Sequence, residues 1–244
     1  MELKGKRALV TGSAVRVGRV IALKLAERGA SVAVHYNRSR QQAEATAAEA
    51  RALGVQAITV QGDVSRSADV DSLVDEIEAG LGPLDVLVNS ASLYYRKPFA
   101  ELTEEDWDRN FAVNAKAPFL LARRIAPDMK ERGQGKIINI VDWAAERPYQ
   151  DYLPYCASKA ALVNLTKSLA LAFSPEVQVN AVAPGPVFLP EDFTAEETEA
   201  VRRAVPSKRV GSPEDVAAAV LFFIEGSDFA TGSILTVDGG RLIA

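Results

Sequence analysis

The sequence predicts an α/β protein in one domain over residues 1–244: a doubly wound sheet of about seven parallel strands with helices on both faces. Three observations carry that expectation. Short β-branched runs alternate with longer stretches of helical periodicity, which demands crossover connections and therefore parallel pairing. The segment Ile137-Ile138-Asn139-Ile140-Val141 reads as a buried strand, as the strands of such a sheet are. Finally, 244 residues at 48% hydrophobic content bury one full-sized core and do not require a second.

The elements follow in order. Arg7 to Val10 opens as strand and runs into Thr11-Gly12-Ser13-Ala14-Val15-Arg16-Val17-Gly18. The next stretch carries Val17, Val20, Ile21 and Leu25 at three- and four-residue spacing, a helix with a core-facing stripe that Gly29 stops. Further strands are expected at Ser31 to His35, Ala57 to Gln61, Val86 to Asn89, Lys136 to Val141, Gln178 to Val182 and Ile234 to Val237. A helix from about Pro154 to Ala172 puts Tyr155 and Lys159, four apart, on one face. Residues 184–206 are rich in Pro, Asp and Glu and long enough for a substrate lid, with Glu191, Asp192, Glu196, Glu197 and Glu199 on a solvated helix face. No internal repeat or low-complexity tract interrupts the pattern.

Composition narrows the function. Lys and Arg number 28 against 32 Asp and Glu, a net charge of −4 that gives no sign of a nucleic-acid or membrane-surface partner. The lone Cys156 permits no internal disulfide, and with the lone His35 it leaves no His/Cys cluster for zinc, so no metal is expected. Cys156 reads as a small buried thiol and His35 as a support for the neighbouring loop. Met1 to Lys6 leads into the first strand without a signal-peptide core, and no apolar run approaches a membrane span, so a cytoplasmic location is expected.

The loop after the first strand is built for a phosphate. Glycine lets backbone approach the ligand, and the helix N-terminus that follows supplies unpaired N–H donors and a positive dipole end. At the end of the second strand, a site for NAD would place Asp or Glu to accept from the ribose hydroxyls. This chain offers His35-Tyr36-Asn37-Arg38-Ser39 instead. Arg38 can pair with a ribose phosphate, Arg16 can reach it from the first loop, and Ser39 can donate to it, so NADPH is the expected cofactor. Tyr155 and Lys159 form an acid pair, the ammonium being expected to lower the phenol's pKa.

These residues together resemble the short-chain dehydrogenase/reductase family over essentially the whole chain. The resemblance rests on Thr11-Gly12 with Gly18, Asp63-Val64, Asn89-Ser90-Ala91, Asn114, Tyr155 with Lys159, Pro184-Gly185 and Asp238-Gly239-Gly240. It implies a Rossmann-like sheet with the cofactor across its carboxyl edge, Tyr155 as the acid, and Lys159 on the nicotinamide ribose. It also implies that Asn114 anchors a water chain for proton resupply. Gly12, Val17, Gly18, Tyr36 and Asn37 belong to the cofactor side of the site. Asp63 and Val64 would border the adenine, Asn89, Ser90 and Ala91 the central part, and Pro184, Gly185 and Val187 would complete the surroundings. Family members usually form homotetramers, and Ala160, Ala161, Leu165 and Leu169 on the helix of Tyr155 are candidates for packing against a second copy.

Two departures from the usual pattern stand out: Arg16 in place of a glycine and Asp142 in place of a serine, thirteen residues before Tyr155. Both occur in pteridine reductases, which the chain resembles more closely than it resembles ketoacyl reductases, and it is also similar to dihydromonapterin and dihydrofolate reductases of the family. In that group an aromatic ring near Tyr94 stacks on the pterin, with Ser92 close to cofactor and substrate. Tyr95 competes for the aromatic role, and Trp143 either borders the site or belongs to the core. An ionised carboxylate opposes the charge that grows on a reduced ketone oxygen, whereas a ring nitrogen that must take a proton can use a carboxyl group. The leading expectation is therefore an NADPH-dependent oxidoreductase reducing a dihydropterin, with dihydrofolate a further candidate, by hydride transfer to a ring C=N. Tyr155 and Asp142 would supply the proton. Its competitors are a ketoacyl-type carbonyl reductase and a non-catalytic NADPH-binding sensor.

Overall fold

The computed structural model describes residues 1–189 and 193–244. Seven strands form one parallel sheet: β1 (Arg7–Val10), β2 (Ser31–Tyr36), β3 (Ala57–Gln61), β4 (Val86–Asn89), β5 (Gly135–Ile140), β6 (Val177–Pro184) and β7 (Ile234–Val237), in the order β3-β2-β1-β4-β5-β6-β7. The chain starts in the middle, winds outward to β3, and returns to the other side of β1 to wind outward again. Connections on either side of the β1/β4 boundary therefore leave in opposite directions and open a crevice at the carboxyl ends of the strands.

Alternation along each strand sorts the side chains onto two faces. Ala8, Val10, Val86, Val88, Ile138 and Ile140 pack against helices α1 (Arg16–Glu27), α2 (Arg40–Ala52) and α8 (Pro213–Leu221). Leu9, Leu87 and Ile137 face α3 (Ser67–Leu81), α5 (Ala117–Glu131) and α6 (Leu153–Phe173) on the other side. Each of these fully buried Leu and Ile side chains stabilises the fold by roughly 1.5–3 kcal/mol. The expected α1 stripe is present: Ile21 and Leu25 are buried, Val17 and Val20 pack at its border, and Gly29 follows the helix at φ 85°.

α4 (Glu104–Phe111) and α7 (Ala195–Ala204) start in capping boxes, Thr103 with Asp106 and Thr194 with Glu197. Between α4 and α5 the helix widens into a π turn at Ala112–Lys116, and a second π turn follows α8 at Phe222–Gly226. The strands match their sequence expectations within two residues, and β6 runs on to Pro184 because it is paired to β7 up to Pro184↔Val237. One expectation fails: Leu169 is buried in this chain's own core beside Ala170 and Val179, so it is not free to pack against a second copy. Of the acidic residues expected on a lid helix, Glu196, Glu197 and Glu199 lie on α7, while Glu191 and Asp192 fall outside the described residues. Among the described residues no helix is long and apolar enough to cross a membrane.

Candidate active site

A cavity of about 940 Å³ follows the carboxyl edge of the sheet from the β1–α1 loop to α7. Thr11 is buried at the end of β1. Its backbone N–H continues the ladder to Val88, and its hydroxyl accepts from Ser90 N and Ala91 N at 2.9 Å, tying the first loop to the end of β4. Gly12 sits at φ 66°, and a Cβ there would stand 2.9 Å from the Ala91 Cα, so only glycine lets the two loops approach.

One end of the cavity is lined by Gly12, Arg16, Val17, Gly18, Asn37, Asp63 and Val64. No side chain caps the N-terminus of α1, where Val15 is the capping residue, and Val15 to Gly18 line the cavity, so the positive end of the helix dipole faces it. Arg16 occupies φ 54°, a left-handed conformation that costs a side-chain-bearing residue on the order of 1–2 kcal/mol. His35 holds the loop from beneath: Gly12 N donates to its Nδ1 at 3.0 Å and its Nε2 lies 3.0 Å from Gly62 O. Nε2 therefore carries the proton, and burial pushes the imidazole pKa down, so His35 stays neutral and supports the loop as expected. Burial works against the Asp63 charge, but hydrogen bonds from Ser65 and the nearby Arg66 outweigh it and hold the carboxyl below its usual range.

Not every residue expected around a cofactor lines this space. Ser90, Ala91, Pro184, Gly185 and Val187 do. Tyr36 and Asn89 are buried beneath it, the latter donating to Asn139 Oδ1 at 2.8 Å. Arg38 is exposed just past Asn37, and Ser39 begins α2 with its hydroxyl not used as a cap.

At the other end stand Asp142, Tyr155 and Lys159. Asp142 follows β5 and starts a short 3-10 turn, Trp143–Ala145, accepting from Ala144 N at 2.8 Å. It is thus a cap, and also more than a cap. Tyr155 Oη lies 2.7 Å from Asp142 Oδ2, and Tyr149 Oη donates to Oδ1 at 2.8 Å. Burial pushes the Asp142 carboxyl up from its ordinary value, although its hydrogen bonds and Lys159 pull the other way.

The expectation that Lys159 lowers the Tyr155 pKa does not hold in this structure. Lys159 Nζ donates to Ile140 O at 2.8 Å and lies 5.7 Å from the centre of the tyrosine ring. Burial pushes Tyr155 well up, and the Asp142 carboxylate at its hydroxyl adds to the rise. Lys159 itself is pushed down to about 8 by burial. Asn114 sits in the π turn behind the cavity wall. Its Oδ1 accepts from Leu93 N at 2.8 Å, and its Nδ2 donates to Leu93 O and to Ser158 Oγ, both at 3.0 Å. Ser92 is anchored to the same oxygen at 3.2 Å.

Of the two competing tyrosines, Tyr94 is the one in the cavity, and Tyr95 turns away to donate to Asp106 Oδ1 at 2.9 Å. Tyr94 stacks on Tyr152 with ring centres 4.6 Å apart and meets Tyr155 edge-on at 4.8 Å. Trp143 lines the cavity and is buried at once, with Arg241 over its ring at 5.1 Å. Sequence reasoning missed Tyr149 and Tyr152. The signal was present as tyrosine at every third position, 149, 152 and 155, running into the helix that carries Tyr155. It also missed Arg147 and Arg241, whereas Phe188, Leu189 and Phe193 fall in the expected lid segment, and all five line the cavity.

Comparison with known proteins gives concordant matches along the chain. A family model described as enoyl-(acyl carrier protein) reductase matches residues 12–241. The 5-keto-D-gluconate 5-reductase of Escherichia coli strain K12 is 35% identical over 248 residues, covering 99% of this chain and 97% of that protein. A 3-oxoacyl-acyl-carrier-protein reductase of Staphylococcus epidermidis is 34% identical over 241 residues, covering 96% and 98%. Among solved structures, a gluconate 5-dehydrogenase from Burkholderia cenocepacia in complex with NADP and tartrate superposes with a TM-score of 0.92 at 33% identity, covering 100% of this chain and 98% of that one.

Proposed function

The chain belongs to the short-chain dehydrogenase/reductase family and is an NAD(P)-dependent oxidoreductase, and on that premise we propose that it is an NADPH-dependent reductase of a keto group. The observation that carries the reading is the Tyr155–Asp142 pair: a phenol at the sheet edge, 2.7 Å from a buried carboxyl group, with Lys159 on the next turn of the same helix. The relatives named for keto substrates, a ketogluconate reductase and a 3-oxoacyl reductase, support the acceptor.

The residues fit the cofactor. Gly12 and Gly18 leave backbone bare where side chains would collide, the α1 N-terminus faces the space a phosphate would take, and Arg16, Arg38 and Ser39 suit a ribose phosphate. No carboxylate stands among residues 35–39 to favour an unphosphorylated ribose. The NADP complex of the gluconate dehydrogenase supports the same choice. When bound, NADPH supplies hydride to the acceptor carbon. Tyr155 then gives its hydroxyl proton to the acceptor oxygen, and Lys159 holds positive charge nearby. Burial pushes the Asp142 carboxyl up toward its protonated form, and in that form it would not oppose this charge as an ionised group does. A protonated Oδ2 donates to Tyr155 Oη and frees the phenol hydrogen for the substrate.

A second reading, reduction of a dihydropterin ring C=N, draws on Asp142 in place of the family's serine and on the Tyr94–Tyr152 stack, a flat aromatic wall suited to a planar ring. Both readings are tested by NADPH oxidation with a 3-oxoacyl thioester, a keto sugar acid, dihydrobiopterin and dihydrofolate in parallel, with Tyr155→Phe as the blank. Turnover of a keto compound that Tyr155→Phe abolishes supports the main reading. Turnover of the pterins alone replaces it with the second, and NADPH binding without any turnover overturns both.

A further inference from the structure

Asp142 carries a second phenol. Tyr149 lies between the 3-10 turn and α6, lines the cavity, and is held by edge-on contacts with Trp143 at 5.1 Å and Tyr152 at 5.8 Å. Its hydroxyl donates to Asp142 Oδ1 at 2.8 Å, on the oxygen opposite the one that meets Tyr155. We propose that Tyr149 is a positioning residue for proton delivery, stabilising the carboxylate left when Asp142 passes its proton to Tyr155. The inference rests on the reading of Tyr155 as the acid.

The phenol of Tyr155 has one hydrogen. While Asp142 is ionised, that hydrogen is spent on Oδ2; when Oδ2 is protonated, it turns toward the substrate. Hydride arriving at the acceptor carbon leaves the electron pair of the double bond on oxygen. The Tyr155 O–H bond breaks as that oxygen takes the proton, and the Asp142 Oδ2–H bond breaks as Tyr155 regains one. The negative charge ends on Asp142, which recovers its proton from solvent.

Without this second transfer a phenolate would stand beside the carboxyl group at 2.7 Å. At Oδ1 the new charge meets two donors already in place, Ala144 N and Tyr149 Oη. The other groups facing Asp142 are the Lys159 ammonium, which favours the charge, and Tyr94 and Cys156, which burial and the Asp142 charge push up and keep neutral. Arg241 is held over Trp143 beside them.

The test is Tyr149→Phe in the full chain with saturating NADPH and an accepted substrate, followed as single-turnover rates from pH 5 to 9. The rate needs Asp142 protonated and is lost as pH rises through the Asp142 pKa. Removing a donor from the carboxylate raises that pKa. The plateau rate is expected to fall about tenfold while the alkaline limb moves up by about one pH unit. Lys159, pushed down to about 8 by burial, titrates on the same side but does not touch Tyr149, so its transition stays in place. Tyr149→Gln, which restores an N–H donor, recovers part of both effects, and unchanged NADPH affinity shows that each variant is folded. A profile superimposable on the wild type, or one lowered evenly without a shifted limb, overturns the inference. If Tyr155→Phe is inactive in the same assay, that failure belongs to Tyr149 alone; a fully active Tyr155→Phe removes the premise and the inference with it.

Discussion

Tyr155 Oη and Asp142 Oδ2 lie 2.7 Å apart, on a helix and on a strand-end turn that the chain separates by thirteen residues. The parallel sheet brings them together, since β5 ends at the crevice and α6 starts beside it. In the proposed reaction the proton shared across that distance decides which way the phenol hydrogen points.

Replacing Asp142 by Asn keeps an acceptor for Ala144 N but removes a proton that can be given. Turnover is expected to fall by about 10²–10⁴-fold, the usual contribution of a positioned acid. Asp142→Ser restores a hydroxyl of the usual family type. It should keep substantial turnover of a keto substrate and lose turnover of a dihydropterin, so steady-state rates on both substrates separate the two readings.

Arg16 is strained at φ 54°, and Arg16→Gly relieves that strain while removing a guanidinium from the cavity. The variant is expected to gain about 1 kcal/mol of stability in urea unfolding. Its affinity for NADPH should fall about tenfold or more while that for NADH changes little. Equal loss for both cofactors would show that the loop, and not the phosphate, is what Arg16 serves.

Lys159 has its pKa pushed down to about 8 by burial, from an ordinary 10.5. The folded chain therefore holds fewer protons at this site than the unfolded chain between those two values, so this site's contribution to stability rises with pH across that window. Below pH 8 the buried charge costs the fold roughly 3–4 kcal/mol. Lys159→Met should be inactive but more stable than the wild type at pH 7, with the advantage shrinking toward pH 10. Urea midpoints at the two pH values check the sign.

Tyr152 forms the wall against which Tyr94 stacks. Tyr152→Ala should raise KM more than it lowers kcat, because the ring shapes the slot without touching the Asp142–Tyr155 proton. A large fall in kcat at unchanged KM would place Tyr152 in proton delivery instead.

Much of this was legible in the sequence where one physical rule acted alone. Burial on both faces made the strands apolar runs, so their positions came through within two residues. The missing carboxylate at the end of β2 and the residue types at 142, 155 and 159 also came through, because each is a matter of chemistry at a known place in the chain. What did not come through depends on packing across distance. The π turn that sets Asn114 has no local signature, since its extra residue is fixed by contacts with α6 and the Ser92–Leu93 loop. The Lys159 ammonium was expected to act on Tyr155, yet it donates to the Ile140 carbonyl at the end of β5. Tyr149 was missed because its partner, Asp142, is seven residues back across a turn whose course only the fold defines.

The most direct test of proton delivery by Tyr155 is the single-turnover rate of NADPH oxidation in Tyr155→Phe against the wild type, with cofactor affinity measured alongside. Proton delivery by Tyr155 predicts a fall of about 10²–10⁴-fold with NADPH affinity unchanged. A rate within threefold of the wild type would contradict it and move the acid elsewhere in the cavity.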